Sequence, residues 1–257
     1  MQTLFDKIYV ISLISNKDRQ EFIKYQMKEL DIDFEFIYGI DFYNLKHDRF
    51  NNEIIYPSLV DFDFLNNDKM YGCTLMHYYA ILQAYEIGYN NILIIEDDSC
   101  LIKDKNILNY YLNNIPDNCD FITYTPRFID DDERNQFKKL ISLYKNNNKI
   151  KYIKLNNKNY NSLCGTGMYG LMNRQTMKLY LENQRKNFNC ADHIKGIFEN
   201  SIINRYTTFN AICIDQCNQR HQGYCIECYI QCNLIKQYDL FYKPKNYNNL
   251  SNIHSLI

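Results

Sequence analysis

The sequence predicts an α/β fold with a mostly parallel central sheet, and three observations carry that expectation. The first is Asn91 to Asp98, NILIIEDD, an apolar run without polar alternation that ends in three adjacent carboxylates. Ile92 to Ile95 read as a strand buried on both faces, as in a parallel sheet covered by helices on each side. The second is the order at the amino terminus. Lys7 to Leu13, KIYVISL, is a β-branched strand; Phe22, Ile23, Met27 and Leu30 recur at helical spacing; Asp33 to Ile40, DFEFIYGI, alternates as a second strand. Strand, helix, strand at this length is the parallel crossover that opens a nucleotide-binding type of α/β fold. The third is Met70 to Ile87, a helix closed by Gly88 that feeds directly into the acidic strand.

The remaining elements follow in chain order. Ser15 and Asp18 have the spacing of a capping box for the first helix. Residues 44 to 69 are polar and aromatic by turns and read as a loop with short structure. In the helix of residues 70 to 87, Leu75, Tyr79, Leu82 and Ile87 are expected to face the core. A polar, helical segment is expected before Asp120, then a strand over Phe121 to Pro126 and another over Lys149 to Leu155 with one face in water. Leu163 to Asn173, LCGTGMYGLMN, places three glycines within six residues. Such a turn running into an apolar strand fits close backbone approach to a ligand, and equally a plain bulge. Gly165, Thr166 and Gly167 form neither G-x-G-x-x-G nor a Walker motif, so dinucleotide and P-loop binding find no support. Arg174 to Arg185 resumes as a helix that leads to Cys190–Ala191–Asp192–His193, and Thr208 to Ile214 reads as a late strand.

Composition narrows the partners. A chain of 257 residues suffices for one large domain burying roughly three quarters of its extended surface. A net charge of -1 and a pI near 6.5 supply no basic field, which argues against nucleic acid. The amino terminus lacks a basic n-region and a small-residue cleavage site, and no run approaches the roughly 18 to 20 apolar residues of a membrane span. The expectation is a cytoplasmic protein whose ten cysteines stay reduced.

The chemistry concentrates at the end of NILIIEDD, the edge where open α/β sheets bind ligands. Along an extended segment Glu96 and Asp98 point to one side and Asp97 to the other. Two hard oxygen ligands on one side suit Mg²⁺ or Mn²⁺ that also takes diphosphate oxygens. The plainer alternative is a solvated acidic turn. The buried strand before it favours the ligand reading, because three like charges there repel one another unless a cation is present.

Four separated pieces then weigh together: IYVISLISNKDR, ending in Asp18 and Arg19; GCTLMHYYAILQAYEIGYNNILIIEDD; GTGMYGLMNRQTMKLYL; and Ala191–Asp192–His193. In order and spacing, over roughly residues 6 to 195, they resemble glycosyltransferase family 25, the lipooligosaccharide and collagen galactosyltransferase group with a GT-A type fold. Ser12 stands where that family commonly has Asn, and Met76 precedes His77 where Ser is usual. The resemblance implies a GT-A type domain over residues 1 to 200; beyond about residue 200 there is little resemblance, and residues 201 to 257 read as a Cys-rich carboxyl-terminal extension that completes the domain. It implies inverting transfer of a hexose, most often galactose or glucose, from a UDP-sugar to a glycan or hydroxyl acceptor. Glu96 and Asp98 would then hold Mn²⁺ or Mg²⁺, with His221 as a third ligand from a late segment. Asp192 is the first candidate for the base that takes the acceptor's proton, and Asp97 the second. Ser12, Leu13, Arg19, His77 and the Gly165–Thr166–Gly167 turn would lie around the donor.

Each candidate has a plain counterpart. Arg19 is a surface arginine or a phosphate contact; His77, inside a helix, is a hydrogen-bonded structural histidine or a ligand; Asp192 and His193 are adjacent, so one of the two is structural. Cys213, Cys217, Cys225, Cys228 and Cys232 surround His221, and Cys225 and Cys228 form half of a zinc site without a standard second half. Buried or merely reduced cysteines are the plainer account. Lys236 to Asn249, KQYDLFYKPKNYNN, interleaves lysine with aromatics, as in a solvated tail or a segment in peripheral contact with an anionic membrane. Two rivals to the transferase are a GT-A-like binding protein without catalysis and a zinc-stabilised interaction module.

Overall fold

The computed structural model describes residues 2–39, 68–125, 127–128, 132, 135–136, 139, 152–155, 163–164, 167–186, 191, 197–198, 201–208 and 213–215. In chain order the elements are β1 (Lys7–Leu13), α1 (Lys17–Leu30), β2 (Glu35–Gly39), α2 (Asp68–Ile87), β3 (Ile92–Glu96), β4 (Ser99–Leu101), α3 (Lys105–Asn113), β5 (Phe121–Thr123), β6 (Arg127–Phe128), β7 (Tyr152–Leu155), β8 (Leu163–Cys164), β9 (Met168–Leu171), α4 (Arg174–Lys186), β10 (Arg205–Thr208) and β11 (Cys213–Asp215). Seven strands make one sheet in the order β2-β1-β3-β9-β5-β10-β7; β11 pairs with β4 and β6 with β8 in two small ribbons. Among these helices none is long and apolar enough to cross a membrane.

The sheet is mixed. β2, β1 and β3 run parallel, as do β5 and β10, whereas β9 runs against both β3 and β5, and β7 against β10. The reversal has a local cause. The carbonyl of Gly167 accepts from the Glu96 N–H at 2.9 Å, so β9 starts where β3 ends and must run back along it. Residues beyond 200 enter this sheet as β10 and cover β4 as β11.

Strand pleating sorts the core into two layers. Ile8 and Val10 of β1 and Leu93 and Ile95 of β3 pack with Ile23, Met27 and Leu30 of α1 and Leu108, Tyr111 and Leu112 of α3. Tyr9 and Ile11, with Ile92 and Ile94, pack instead with Ile81 and Ala84 of α2 and Met177, Tyr180 and Leu181 of α4. Side chains two apart share a face, so the two layers fix where the residues after Ile95 point.

Three local expectations change. The predicted capping box does not form: α1 begins after Asn16, which makes no side-chain cap, and Ser15 contributes only its backbone carbonyl to Lys17 N–H. Tyr79 and Ile87 of α2 are exposed, and the buried positions run Thr74 to Tyr78, then Ala80, Ile81 and Ala84. Five consecutive residues, Thr74 to Tyr78, are buried, so periodicity there selects no single face. The late strand is two strands, β10 ending at Thr208 and β11 starting at Cys213, in different sheets. Gly88 does close α2, at φ 101° with its N–H on the Ala84 carbonyl, a conformation that favours glycine.

Candidate active site

Two layers meeting one strand end place the acidic residues on different neighbours. Glu96 is the last residue of β3 and continues the face of Ile92 and Ile94, so it points toward α2, where its Oε1 lies 3.3 Å from His77 Nε2. Asp97 continues the face of Leu93 and Ile95 and points toward α1. Its Oδ2 accepts from Ser12 Oγ at 2.7 Å and Asn16 Nδ2 at 3.3 Å, and its Oδ1 from Arg19 at 3.1 Å. Asn16, which would have capped α1, thus binds the acidic turn.

Asp98 departs from the alternating pattern. The strand stops at Glu96 and residues 97 and 98 form a turn, so pleating no longer governs Asp98. Its Oδ2 accepts from the same Arg19 Nη1 at 3.2 Å, and Asp97 and Asp98 share one guanidinium rather than facing opposite ways. Asp98 Oδ1 is buried and has no hydrogen-bond partner. Burial first, then the charge of Glu96, push the Asp98 carboxyl up to about 7, with Arg19 opposing. Burial disfavours the Arg19 charge, but Asp98 and Asp97 together hold its pKa above the ordinary value.

The turn is pinned from both sides. Asp97 N–H donates to the Ile11 carbonyl at 3.0 Å, and Ser99 Oγ donates to the Gly167 carbonyl at 2.7 Å. Gln26 of α1, fully buried, donates through Nε2 to the Ser99 carbonyl and accepts through Oε1 from Leu101 N–H, at 2.9 and 2.8 Å. A buried amide satisfied at both ends fixes the strand after the turn. Gln20, also buried, donates to the Leu13 carbonyl at 2.7 Å and steadies the end of β1.

On the α2 side, His77 is fully buried. Its Nδ1 lies 2.9 Å from Tyr169 Oη, and Nε2, though near Glu96, is not aligned for a hydrogen bond with any group. One turn before it on the same helix is Cys73. Cys73 Sγ, a His77 ring nitrogen and a Glu96 carboxylate oxygen all lie within 4.8 Å of one another.

Of the residues expected from sequence, Ser12, Arg19, Asp97 and Asp98 form one connected cluster, Glu96 adjoins it in the chain and pairs with His77 on the α2 side, and Leu13 and Gly167 contribute backbone at its border. Gly165, Thr166, Asp192 and His221 lie outside the described residues, as do Cys217, Cys225, Cys228, Cys232 and residues 236 to 249. Cys213 is a fully buried strand residue. Ala191, next to Asp192, donates its N–H to Thr74 Oγ1 of α2 at 3.0 Å. Asn16, Cys73, Ser99, Gln26 and Tyr169 are absent from the sequence-based set. Only Cys73 carries a local signal, its i,i+4 spacing to His77 on one helix face.

Comparison with known proteins adds to this geometry. No curated protein matches the chain. Among solved structures it is similar to a glycosyltransferase involved in the glycosylation of the major capsid of PBCV-1, at 10% identity and a TM-score of 0.45, over 88% of this chain and 98% of that one. The family model described as glycosyltransferase family 25 (LPS biosynthesis protein) matches residues 5–195. That stretch contains β1 through α4 and every residue of the acidic cluster, and by it the chain belongs to glycosyltransferase family 25.

Proposed function

We propose that this protein is a metal-dependent inverting hexosyltransferase that moves a hexose, galactose or glucose first among candidates, from a UDP-sugar to a hydroxyl of a glycan or other acceptor. The observation that carries the reading is Asp98 Oδ1, a buried carboxylate oxygen without a hydrogen-bond partner, beside Glu96 at the ligand-binding edge of the sheet. A group left in that condition costs stability unless something binds it. Three carboxylates against one guanidinium leave the turn with excess negative charge, and hard oxygens suit Mg²⁺ or Mn²⁺. Glu96 and Asp98 would hold the ion, which when bound supplies positive charge for the leaving diphosphate. The sheet order and the reversed strand β9 support a GT-A type domain, and β10 and β11 support a carboxyl-terminal segment that completes it.

In this reading an acceptor oxygen attacks the anomeric carbon, the bond to the diphosphate oxygen breaks, and the acceptor's proton passes to a carboxylate. Asp97 is the weaker candidate for that base. It is 5% exposed and already accepts from three donors, which favours a side chain that orients Arg19 over one free to take the acceptor's proton. Asp192 remains the proposed base, and its described neighbour Ala191 is anchored on Thr74 Oγ1 of α2. Arg19, which holds both aspartates, would meet donor phosphate in this reading.

The test is thermal unfolding with UDP and Mn²⁺ together, since a ligand that binds only the native state raises its stability by mass action. A rise at saturation is expected, and none would count heavily against the transferase. Slow hydrolysis of UDP-galactose, UDP-glucose and UDP-N-acetylhexosamines then identifies the sugar. Asp192→Asn should keep UDP-Mn²⁺ binding and lose transfer by roughly 10²- to 10⁴-fold; unchanged transfer would remove Asp192 from the mechanism.

A further inference from the structure

We propose that Cys73, His77 and Glu96 form a second metal site, selective for a thiophilic divalent ion such as zinc, on the α2 side of the acidic strand. The site goes beyond the transferase reading and does not rest on it, because it needs neither donor nor acceptor. Three different elements of chemistry converge there: a thiol and an imidazole one helical turn apart on α2, and a carboxylate from the end of β3. Their ligand atoms lie within 4.8 Å of one another. Zinc bonds of about 2.0–2.3 Å hold ligand atoms within roughly 4 Å of each other, so small side-chain movements close the site.

The second observation is His77 itself. It is 0% exposed, and its Nε2 has no hydrogen-bond partner although it faces Glu96 at 3.3 Å. A buried ring nitrogen in that state is costly. In the tautomer with the proton on Nδ1, that N–H donates to Tyr169 Oη at 2.9 Å, which leaves the Nε2 lone pair directed at the cluster. Metal-bound histidines are commonly held this way through the other ring nitrogen. Tyr169 is in turn fixed, stacked on Phe121 with centroids 5.5 Å apart. A thiolate ligand selects zinc over Mg²⁺ or Mn²⁺. Three protein ligands, with Cys73 and Glu96 only half-buried, leave a fourth position open to water or another ligand, unlike a closed structural site. Glu96 is the metal ligand common to this site and the proposed donor-side metal site, and His77 adjoins both; Arg19, Asp97 and Asp98 belong to the other layer of the sheet.

The experiment uses the full chain, reduced, with Cys225→Ser and Cys228→Ser so that the carboxyl-terminal C-x-x-C cannot contribute. Titration with Co²⁺ in excess Mg²⁺ should give a thiolate-to-cobalt charge-transfer band saturating at one equivalent and abolished by Zn²⁺. Cys73→Ser should remove the band. Tyr169→Phe should weaken the site roughly 10- to 100-fold with the fold retained, and Asp98→Asn should leave the band unchanged. Absence of the band, its survival in Cys73→Ser, or its loss in Asp98→Asn would overturn the assignment. A reading independent of the variants is thiol protection in the unsubstituted chain. One equivalent of Zn²⁺ beyond what the C-x-x-C takes should shield Cys73 from iodoacetamide, as located by peptide mass, and unchanged labelling of Cys73 at saturating zinc would equally overturn it.

Discussion

Two aspartates at opposite edges of the same sheet show how differently this fold treats a carboxylate. Asp120 precedes β5, at the edge away from the acidic turn. It accepts from Asn173 Nδ2 at 2.8 Å, Asn204 N–H at 2.7 Å and Asn204 Nδ2 at 3.2 Å, and its own carbonyl takes the Met172 N–H at 3.0 Å. Those four bonds tie the end of β9 to the starts of β5 and β10. Asp98 has one guanidinium contact, one buried oxygen without a partner, and two neighbouring carboxylates. A carboxylate surrounded by neutral donors is a joint of the scaffold, whereas one left with unmet capacity amid like charge destabilises the fold until something binds it. The two differ in edge and in donor supply, and the donor supply is what leaves one satisfied and the other not.

The largest effect expected from this contrast is on transfer. If Asp98 holds the metal ion as proposed, Asp98→Asn keeps shape and removes that anionic ligand, so UDP release in the presence of donor, acceptor and Mn²⁺ should fall by roughly 10²-fold or more. A variant that transfers like the wild type would reduce the acidic turn to a solvated feature.

The same residue sharpens the comparison through pH. The Asp98 carboxyl is raised from 3.8 in the unfolded chain to about 7 in the fold, so the folded protein holds the proton more tightly. Between these values the native state binds more protons, and stability falls as pH rises from about 4 to about 7, then levels. Without divalent ion, Asp98→Asn should exceed the wild type in unfolding free energy by a margin that grows across that window, to the order of a few kcal/mol. Mn²⁺ should narrow the margin by stabilising the wild type alone. A margin that is flat in pH would mean that Asp98 is not strained as described.

Asp120→Ala should do the converse. It strands the Asn173 and Asn204 donors and should cost about 1–3 kcal/mol in denaturant unfolding, while transfer per folded molecule stays at the wild-type rate. Loss of transfer at full folding would break the distinction between scaffold and site. The smallest effect belongs to Ser12→Ala, which removes one of three donors from Asp97 and should cost about 1 kcal/mol. A much larger loss would show that Ser12, not Arg19, holds Asp97.

Much of this was legible locally. The β-branched run of β1 has the bounds expected from sequence, Lys7–Leu13, and the unbroken apolar run before Glu96 is buried along its whole length because helices cover both faces. Alternation alone sends Glu96 and Asp97 to different layers, and four motif blocks in order suffice to place the chain in its family. Such features depend on residues close together in the chain, whose pattern follows directly from backbone geometry. Tertiary structure decided the rest. Asp98 joins Asp97 on Arg19 because the strand ends at Glu96 and the chain turns, and that turn is anchored by Gly167 and Gln26 from distant segments. The buried face of α2 is set by the sheet beneath it and α4 beside it, so His77 and Cys73 face Glu96 while Tyr79 faces solvent. Contacts across some 20 to 90 residues of sequence depend on how helices pack over the crossovers, and no local pattern of residue types encodes which side chain will be left with an unmet partner.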